Sequence, residues 1–386
     1  MTKMTYLDNA ATTPVRPEVK EAIEPLLAET FANPSSNHRY GREARKYVDE
    51  AQRRIAEALD ASPNQIVFTS GGTEADNLAV LGGAMAAKEK GKPFAVATGT
   101  TEHKAVIAAA KQVEVFGGEY FEISVDENGS VDPDRVADAA RKASVVSLMW
   151  VNNEVGTIHD IPALAMLCKE QGAAFHTDAV QTVGKVPVSF AHEGLDMLSV
   201  AGHKIGAPKG VGALLLRDKG LVSALMHGGS QQHGVRPGTE NVAGAVALAT
   251  AIELAVRDQE ENAAKYRKLR DDLEARLLHL IEEVTVVATE GNRAPHISSV
   301  AFPGIDPLHL LIHLDKEGIA CSSGPACSSG SLKPSHVLEA MGLPESISAH
   351  ALRFSFYSQN TQADVDHVVQ VLPGIVEKLR AAPAGA

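Results

Sequence analysis

Short apolar runs alternate with amphipathic stretches over the first 217 residues. Seven runs read as strands: Gln65–Thr69, Phe94–Thr98, Val113–Phe116, Val145–Val151, Ala173–Thr177, Met197–Val200 and Gly212–Arg217. Between most of them lie helical patterns, at Asn77–Lys90, Lys104–Lys111, Asp132–Lys142 and Ile161–Gln171. Strands alternating with helices predict an α/β fold with a mostly parallel seven-stranded sheet covered on both faces. A short polar segment, residues 1–14, comes first. Helices at Arg16–Leu27 and Gly41–Leu59 follow, joined through the loop Phe31–His38.

Past Asn241 the pattern changes. The chain is mostly helical to Glu283, and Leu269, Leu273, Leu277 and Leu280 form one packing stripe. Strand runs follow at Val284–Val287, Ser298–Phe302 and Leu352–Phe356, with helices at Pro307–Glu317, Ser335–Met341 and Ala363–Leu379. A Ser/Gly-rich loop spans Ser322–Ser331, and the tail from Ala381 to Ala386 is expected to fray. This half reads as a smaller α+β domain. At 386 residues the chain exceeds the ~100–200 typical of one domain. The expected division is an N-terminal segment 1–14 packing with the small domain, a large domain 15–257 and a small domain 258–386.

Composition narrows the class. Hydrophobic residues at 44% and charged residues at 22% suit a soluble globular enzyme. A net charge of −12 without a Lys/Arg block argues against nucleic acid and anionic membrane as partners. No apolar run approaches the ~20 residues of a membrane span, and no secretory signal is apparent. The three cysteines, Cys168, Cys321 and Cys327, predict a reducing, cytoplasmic setting without a disulfide framework.

The candidate chemistry sits where strands end. Phe68-Thr-Ser-Gly-Gly-Thr-Glu-Ala-Asp-Asn77 joins a strand to a helix through Gly71, Gly72 and Thr73. Such a junction aims backbone N–H groups and the positive end of a helix dipole at an anion such as phosphate. A plain cap by Thr73 accounts for it equally well. Asp178, in Phe175–Gln181, lies on the rim where α/β folds bind ligands; it suits a protonated heterocycle nitrogen or a turn cap. His103, in Thr101–Ala105, and Asn153, in Val151–Gly156, fall on the same rim. Finally, the apolar run Met197–Val200 breaks at Gly202 and presents His203 and Lys204 among glycines. Desolvated there, a lysine becomes a nucleophile toward a carbonyl; taken alone, the stretch is better explained by a surface turn lysine. Convergence changes that balance. Anion site, imidazole, amide, carboxylate and lysine together make a kit for pyridoxal phosphate, with Lys204 as its Schiff-base amine.

In Cys321-Ser-Ser-Gly-Pro-Ala-Cys-Ser-Ser-Gly-Ser331, serine and glycine on both sides predict an exposed segment, so Cys327 is a candidate reactive thiol. Cys321 ends the apolar run Gly318-Ile-Ala and is expected in the core, as is Cys168 beside Leu164 and Leu167. A two-cysteine metal site lacks the four ligands that zinc or an Fe–S cluster generally takes, so no metal is expected.

Six stretches, Phe68–Glu74, Thr101–Ala105, Val151–Gly156, His176–Gln181, Gly202–Lys204 and Ser322–Cys327, resemble in residue and order the NifS/IscS-type cysteine desulfurases of the class-V aminotransferase family. The resemblance runs from Tyr6-Leu-Asp-Asn-Ala-Ala-Thr-Thr-Pro14 to about Leu379. It implies a fold-type I pyridoxal 5′-phosphate enzyme, homodimeric, with active sites at the subunit interface. By resemblance Lys204 carries the cofactor, His103 stacks on its ring, Asp178 pairs with its pyridinium nitrogen, and Asn153 and Gln181 contact its 3′ oxygen. Gly72, Thr73 and His203 bind its phosphate, with Thr239 reaching across from the partner subunit. Asn33 and Arg353 clamp the substrate carboxylate. Lys204 also serves as general base, and Cys327 takes the sulfur of L-cysteine as a persulfide, leaving L-alanine and passing sulfur to an acceptor protein such as an Fe–S scaffold.

Three features depart from that family. Ala201 stands where serine is usual, which removes a hydroxyl donor to the phosphate. Pro325 stands where serine is common, and its fixed φ stiffens the segment bearing Cys327. The chain stops soon after Leu379, which leans toward the NifS-like branch or another acceptor than an IscU-type scaffold. Selenocysteine lyase is the nearest alternative activity. An aminotransferase has no need of Cys327, and a non-catalytic persulfide or Fe–S carrier has no need of Lys204.

Overall fold

The computed structural model describes residues 4–192, 194–323 and 334–381. Its main sheet has seven strands: β2 (Ile66–Thr69), β3 (Ala95–Gly99), β4 (Glu119–Ile123), β5 (Val145–Ser147), β6 (Ala174–Asp178), β7 (Met197–Ala201) and β8 (Gly212–Leu216). Their order is β2-β8-β7-β6-β5-β3-β4, and β8 alone runs against the rest. Because β3, β5, β6 and β7 are parallel, their C-terminal ends share one rim.

Alternation along each strand feeds two faces. Val67, Val96 and Met197 pack with the helical run that starts at Gly72 and with the helix Lys104–Val115. Their neighbours Phe68, Ala97 and Leu198 pack with the helices Arg39–Ala58 and Val242–Arg257. Within Arg39–Ala58 the buried residues Ala44, Val48, Ala51 and Ile55 recur at spacings of three and four, the stripe a surface helix needs.

A second core lies around an antiparallel sheet of β9 (Thr285–Val286), β10 (Ile297–Ala301) and β12 (Ala351–Ser355). The helix Gln259–Leu280 covers it with Leu269, Leu273 and Leu277, whereas Leu280, expected on the same stripe, is half exposed at the helix end. The N-terminal strand β1 (Thr5–Tyr6) pairs with β11 (Ile319–Ala320). Leu7 then enters this smaller core, while Ala10 enters the large one. Residues between them are thereby fixed at both ends.

One strand expectation is corrected. Val113–Phe116 is not a strand: the helix beginning at Lys104 continues to Val115. Val106, Ala109, Ala110 and Val113 form a buried helical stripe, which outweighs the local β-branched run, and Gly117, at φ +82°, ends the element. The strand at this edge of the sheet is instead β4, whose exposed Glu119 and Glu122 interrupt the apolar run by which the other strands are recognised. No helix among the described residues is long and apolar enough to cross a membrane.

Gly212 opens β8 directly against the turn at Gly71. A Cβ there would stand 2.5 Å from Val200 O and 2.7 Å from Gly71 Cα, both backbone atoms. Gly212→Ala is expected to cost about 1–3 kcal/mol, as overpacking generally does. A thermal or urea unfolding midpoint equal to wild type would refute that.

Candidate active site

A cavity of about 640 Å³ opens at the rim of β3, β5, β6 and β7. It is lined by Gly72, Thr73, His103, Asn153, Asp178, Gln181, His203, Lys204 and Arg353, so nine residues singled out in the sequence meet in one place. Asn33 and Thr239 are exposed and line no part of it. Cys327 and Pro325 lie outside the described residues.

Lys204 closes a 3₁₀ turn, Gly202–Lys204, that leaves β7. Its Nζ donates to Ala10 O and Ala11 O, both at 2.6 Å. Burial, then the charge of Arg353, lowers this amine from 10.5 to about 8; Asp178 and Asp8 act against the shift. Lys204 is therefore no surface turn lysine.

Asp178 ends β6 and is 6% exposed. Its Oδ1 accepts from Val180 N at 2.9 Å, so it caps the next turn and also faces the cavity. Burial raises its pKa against the charge of His103 and that hydrogen bond. Two further carboxyls stand nearby. Asp76 is 1% exposed, its Oδ1 sealed from solvent with His176 Nε2 3.8 Å away; burial, then the charge of Asp178, raises its pKa well above the usual carboxylate value. Glu102 is fully buried and raised likewise, while its Oε1 accepts from Met149 N at 2.7 Å. Burial and the charge of Asp178 thus both favour the protonated forms of Asp76 and Glu102.

His103 precedes the helix Lys104–Val115 and caps it, Nδ1 accepting from Ala105 N at 3.1 Å. That bond puts the proton of the neutral ring on Nε2. Burial lowers the ring's pKa, opposed by Asp178 and reinforced by Lys204. His203 Nδ1 lies 3.2 Å from Thr12 Oγ1, and burial, with Lys204, brings it down to about 4. Thr73 sits inside the first turn of its helix, and the cap position belongs to Gly71, so the plain-cap reading of Thr73 fails. A Cβ on Gly72 would come within 2.9 Å of Val180 Cγ2, so a side chain here would crowd the cavity wall.

Gln181 Nε2 donates to Ala10 O at 2.8 Å, and its Oε1 lies 3.3 Å from His296 Nε2. Arg353, on β12, donates through Nη1 to Asn153 O at 2.8 Å and through Nη2 to Asp8 Oδ1 at 2.7 Å. Its backbone pairs both ways with Ser322, the stem of the segment that carries Cys327. Asn152, beside Asn153, is consumed by its own turn, accepting from Glu154 N and Val155 N.

Sequence reasoning missed Asp8, Asp76 and Lys185. The first two lie inside motifs already singled out. Lys185 is 5% exposed and donates to Lys204 O at 3.1 Å; burial lowers it to about 7. Its signal was an apolar setting, Val183 to Val188, in which a lysine is out of place. Cys168 is fully buried as expected, and Cys321 packs, half-buried, against the smaller core.

The donor set fits one cofactor. Backbone amides at Gly72 and Thr73 suit a phosphate, Asp178 a pyridinium N–H, and Lys204 an aldehyde. The family model described as "Aminotransferase class-V" matches residues 5–368. The chain belongs to the class-V aminotransferase family. Members of this family depend on pyridoxal phosphate. Among class-V relatives, the chain is 43% identical over 381 residues to the cysteine desulfurase IscS of Dictyoglomus turgidum, covering 98% of this chain and 96% of that protein. It is 44% identical over 378 residues to a cysteine desulfurase of Gluconacetobacter diazotrophicus, covering 97% and 94%. A solved NifS-like protein superposes with a TM-score of 0.91 at 34% identity, covering 98% of this chain and all of that one. The apo cysteine desulfurase of Thermococcus onnurineus gives 0.85 at 25% identity, covering 97% and 95%.

The charges around Lys204 make a signed prediction. In the cofactor-free protein its amine should lose its proton with a midpoint near 8. Arg353→Met removes a positive neighbour and should raise the midpoint; Asp178→Asn removes a negative one and should lower it. The pH dependence of Lys204 acylation, followed by mass spectrometry, reads both shifts, and movement in the opposite direction would count against this electrostatic picture.

Proposed function

We propose that this chain is a cysteine desulfurase that moves the sulfur of L-cysteine onto Cys327 and releases L-alanine. The observation that carries the reading is the meeting, in one cavity, of an amine lowered to about 8, the buried carboxyl of Asp178 and the guanidinium of Arg353. Near-full-length similarity to cysteine desulfurases supports the choice of substrate.

Pyridoxal phosphate bound here supplies an electron sink that makes the α-hydrogen of an attached amino acid acidic. Gly72, Thr73 and His203 would hold its phosphate, His103 its ring, Asp178 its ring nitrogen, Asn153 and Gln181 its 3′ oxygen, and Lys204 its aldehyde carbon. Lys204 Nζ, poised near 8, takes the proton from the substrate α-carbon. The Ala10 and Ala11 carbonyls accept the N–H groups of the ammonium that results. Arg353, with Asn33, takes the substrate carboxylate through paired hydrogen bonds. The Cys327 thiolate then attacks the substrate sulfur. A sulfur–sulfur bond forms, the carbon–sulfur bond breaks, and its electron pair stays on carbon, which is protonated. L-cysteine and a thiol thus become L-alanine and a persulfide with no outside oxidant.

The enzyme is read as a homodimer on its resemblance to its relatives, and the exposure of Thr239 outside its own cavity is compatible with its reaching a second subunit's. We read the domain division at 257/258, between the helices Val242–Arg257 and Gln259–Leu280, with segment 1–14 packing against the small domain; the place of Leu7 in the smaller core supports this, although Ala10 enters the large one. A reducing, cytoplasmic setting suits three sparse cysteines, and the persulfide passes to an acceptor protein such as an Fe–S scaffold.

Cysteine turnover with alanine and sulfide measured together tests the reading. Wild type with a reductant should give equal amounts, and Cys327→Ser should lose at least about a hundredfold, as loss of a nucleophile does. Lys204→Ala should abolish the visible absorbance of the bound cofactor. A keto acid in place of alanine would overturn the proposal.

Ala201 lines the cavity, 2% exposed, and offers no hydroxyl. A hydrogen bond to a charged group is worth about 1.5–3 kcal/mol, so Ala201→Ser should bind the cofactor roughly tenfold more tightly or better. Titrating cofactor into the two apoproteins decides it, and equal affinity would show that another donor already serves.

A further inference from the structure

The N-terminal segment reaches the cavity through two backbone carbonyls and one side chain. Ala10 and Ala11 receive Lys204, and two residues earlier Asp8 receives Arg353. The Arg353 side chain is 7% exposed and that of Asp8 is 23%, so this ion pair is largely withdrawn from water. Arg353 has few other partners: Nη1 goes to Asn153 O, and Nε is sealed with none. Because Leu7 and Ala10 are fixed in different cores, Asp8 cannot drift from its post.

On the reading that Arg353 takes the substrate carboxylate, we propose that Asp8 is a positioning residue that aims the Arg353 guanidinium and offsets its charge toward Lys204. One short segment then sets both the carboxylate subsite and the lysine. Without Asp8, the buried guanidinium keeps a single backbone acceptor, so its fork is no longer held for a planar, paired contact. Its charge also bears on Lys204 uncompensated. The other groups facing Lys204 are Asp178 at the end of β6, His103 before its helix, Lys185 beneath the turn and His203 within it. None of these touches Arg353, so the effect of Asp8 is separable from theirs.

Asp8→Asn keeps an acceptor oxygen but removes the charge, whereas Asp8→Ala removes both. In the apoprotein, the pH midpoint of Lys204 acylation should fall in both variants. In the holoenzyme, binding of L-cysteine and of cysteamine, which lacks the carboxylate, is followed by the cofactor's absorbance. Asp8→Ala should weaken L-cysteine roughly tenfold, the worth of one charged hydrogen bond, and leave cysteamine unchanged. Asp8→Asn should retain most of the L-cysteine affinity. Unchanged midpoints, or equal losses for the two ligands, would overturn the role of Asp8. Arg353→Met tests the underlying reading separately: if it weakens L-cysteine no more than cysteamine, the carboxylate subsite falls and the proposal with it.

Discussion

An amine cannot be taken out of water without acceptors for its N–H groups, and the site is arranged around that constraint on Lys204. Its two acceptors, Ala10 O and Ala11 O, come from 194 and 193 residues earlier in the chain and bind as carbonyls, with no negative charge. A carboxylate in their place would lock the lysine as a permanent ammonium. Carbonyls satisfy the N–H groups and leave burial free to bring the amine down to about 8. The N-terminal segment must therefore be placed accurately. Anchorage of Leu7 in one core and Ala10 in the other does this more firmly than a surface strand could.

The carboxyl side of the cavity follows from the same low dielectric. Asp178 has Asp76 and Glu102 for neighbours, and burial raises all three. Carboxyls whose protonated forms are favoured by burial cost less beside Asp178 than charged ones would. His176 seals the arrangement. It is fully buried, bonded to Ser147 and Ser199 hydroxyls at 2.8 and 2.9 Å, and lowered to about 3, so it stays neutral and adds no counter-charge that would compete for Asp178.

Much of this was legible in the sequence because parallel strands put their C-terminal residues on one rim. Residues next to apolar runs, such as His103, Asp178 and Lys204, could be gathered without knowing the strand order. The edge strand β4 was not legible, because Glu119 and Glu122 follow solvent and not the core, and the helix stripe ending at Val113 imitated a strand. Asp8 and Lys185 were missed for another reason. Each acts through a partner nearly 20 to 345 residues away, Lys185 on Lys204 O and Asp8 on Arg353, and local pattern carries no trace of such pairings. Of the adjacent Asn152 and Asn153 the sequence points to Asn153, and the structure spends the Asn152 side chain on its own turn.

The exposed loop that carries Thr239 is less independent of the cavity than its surface position suggests. Arg236 Nε donates to Glu74 Oε1 at 2.7 Å, and Glu74 follows Thr73 in the anion cradle. Gln232 adopts φ 45° and His233 φ 63°, a costly pair of left-handed residues outside glycine. The Gln232 side chain, 6% exposed, holds them there: its Oε1 accepts from Phe68 N at 2.9 Å, on the strand leading into the same cradle, and its amide donates to Glu240 at 2.5 Å. In the proposed homodimer, Thr239 would serve the partner's phosphate while its own stem is fastened to this subunit's cradle.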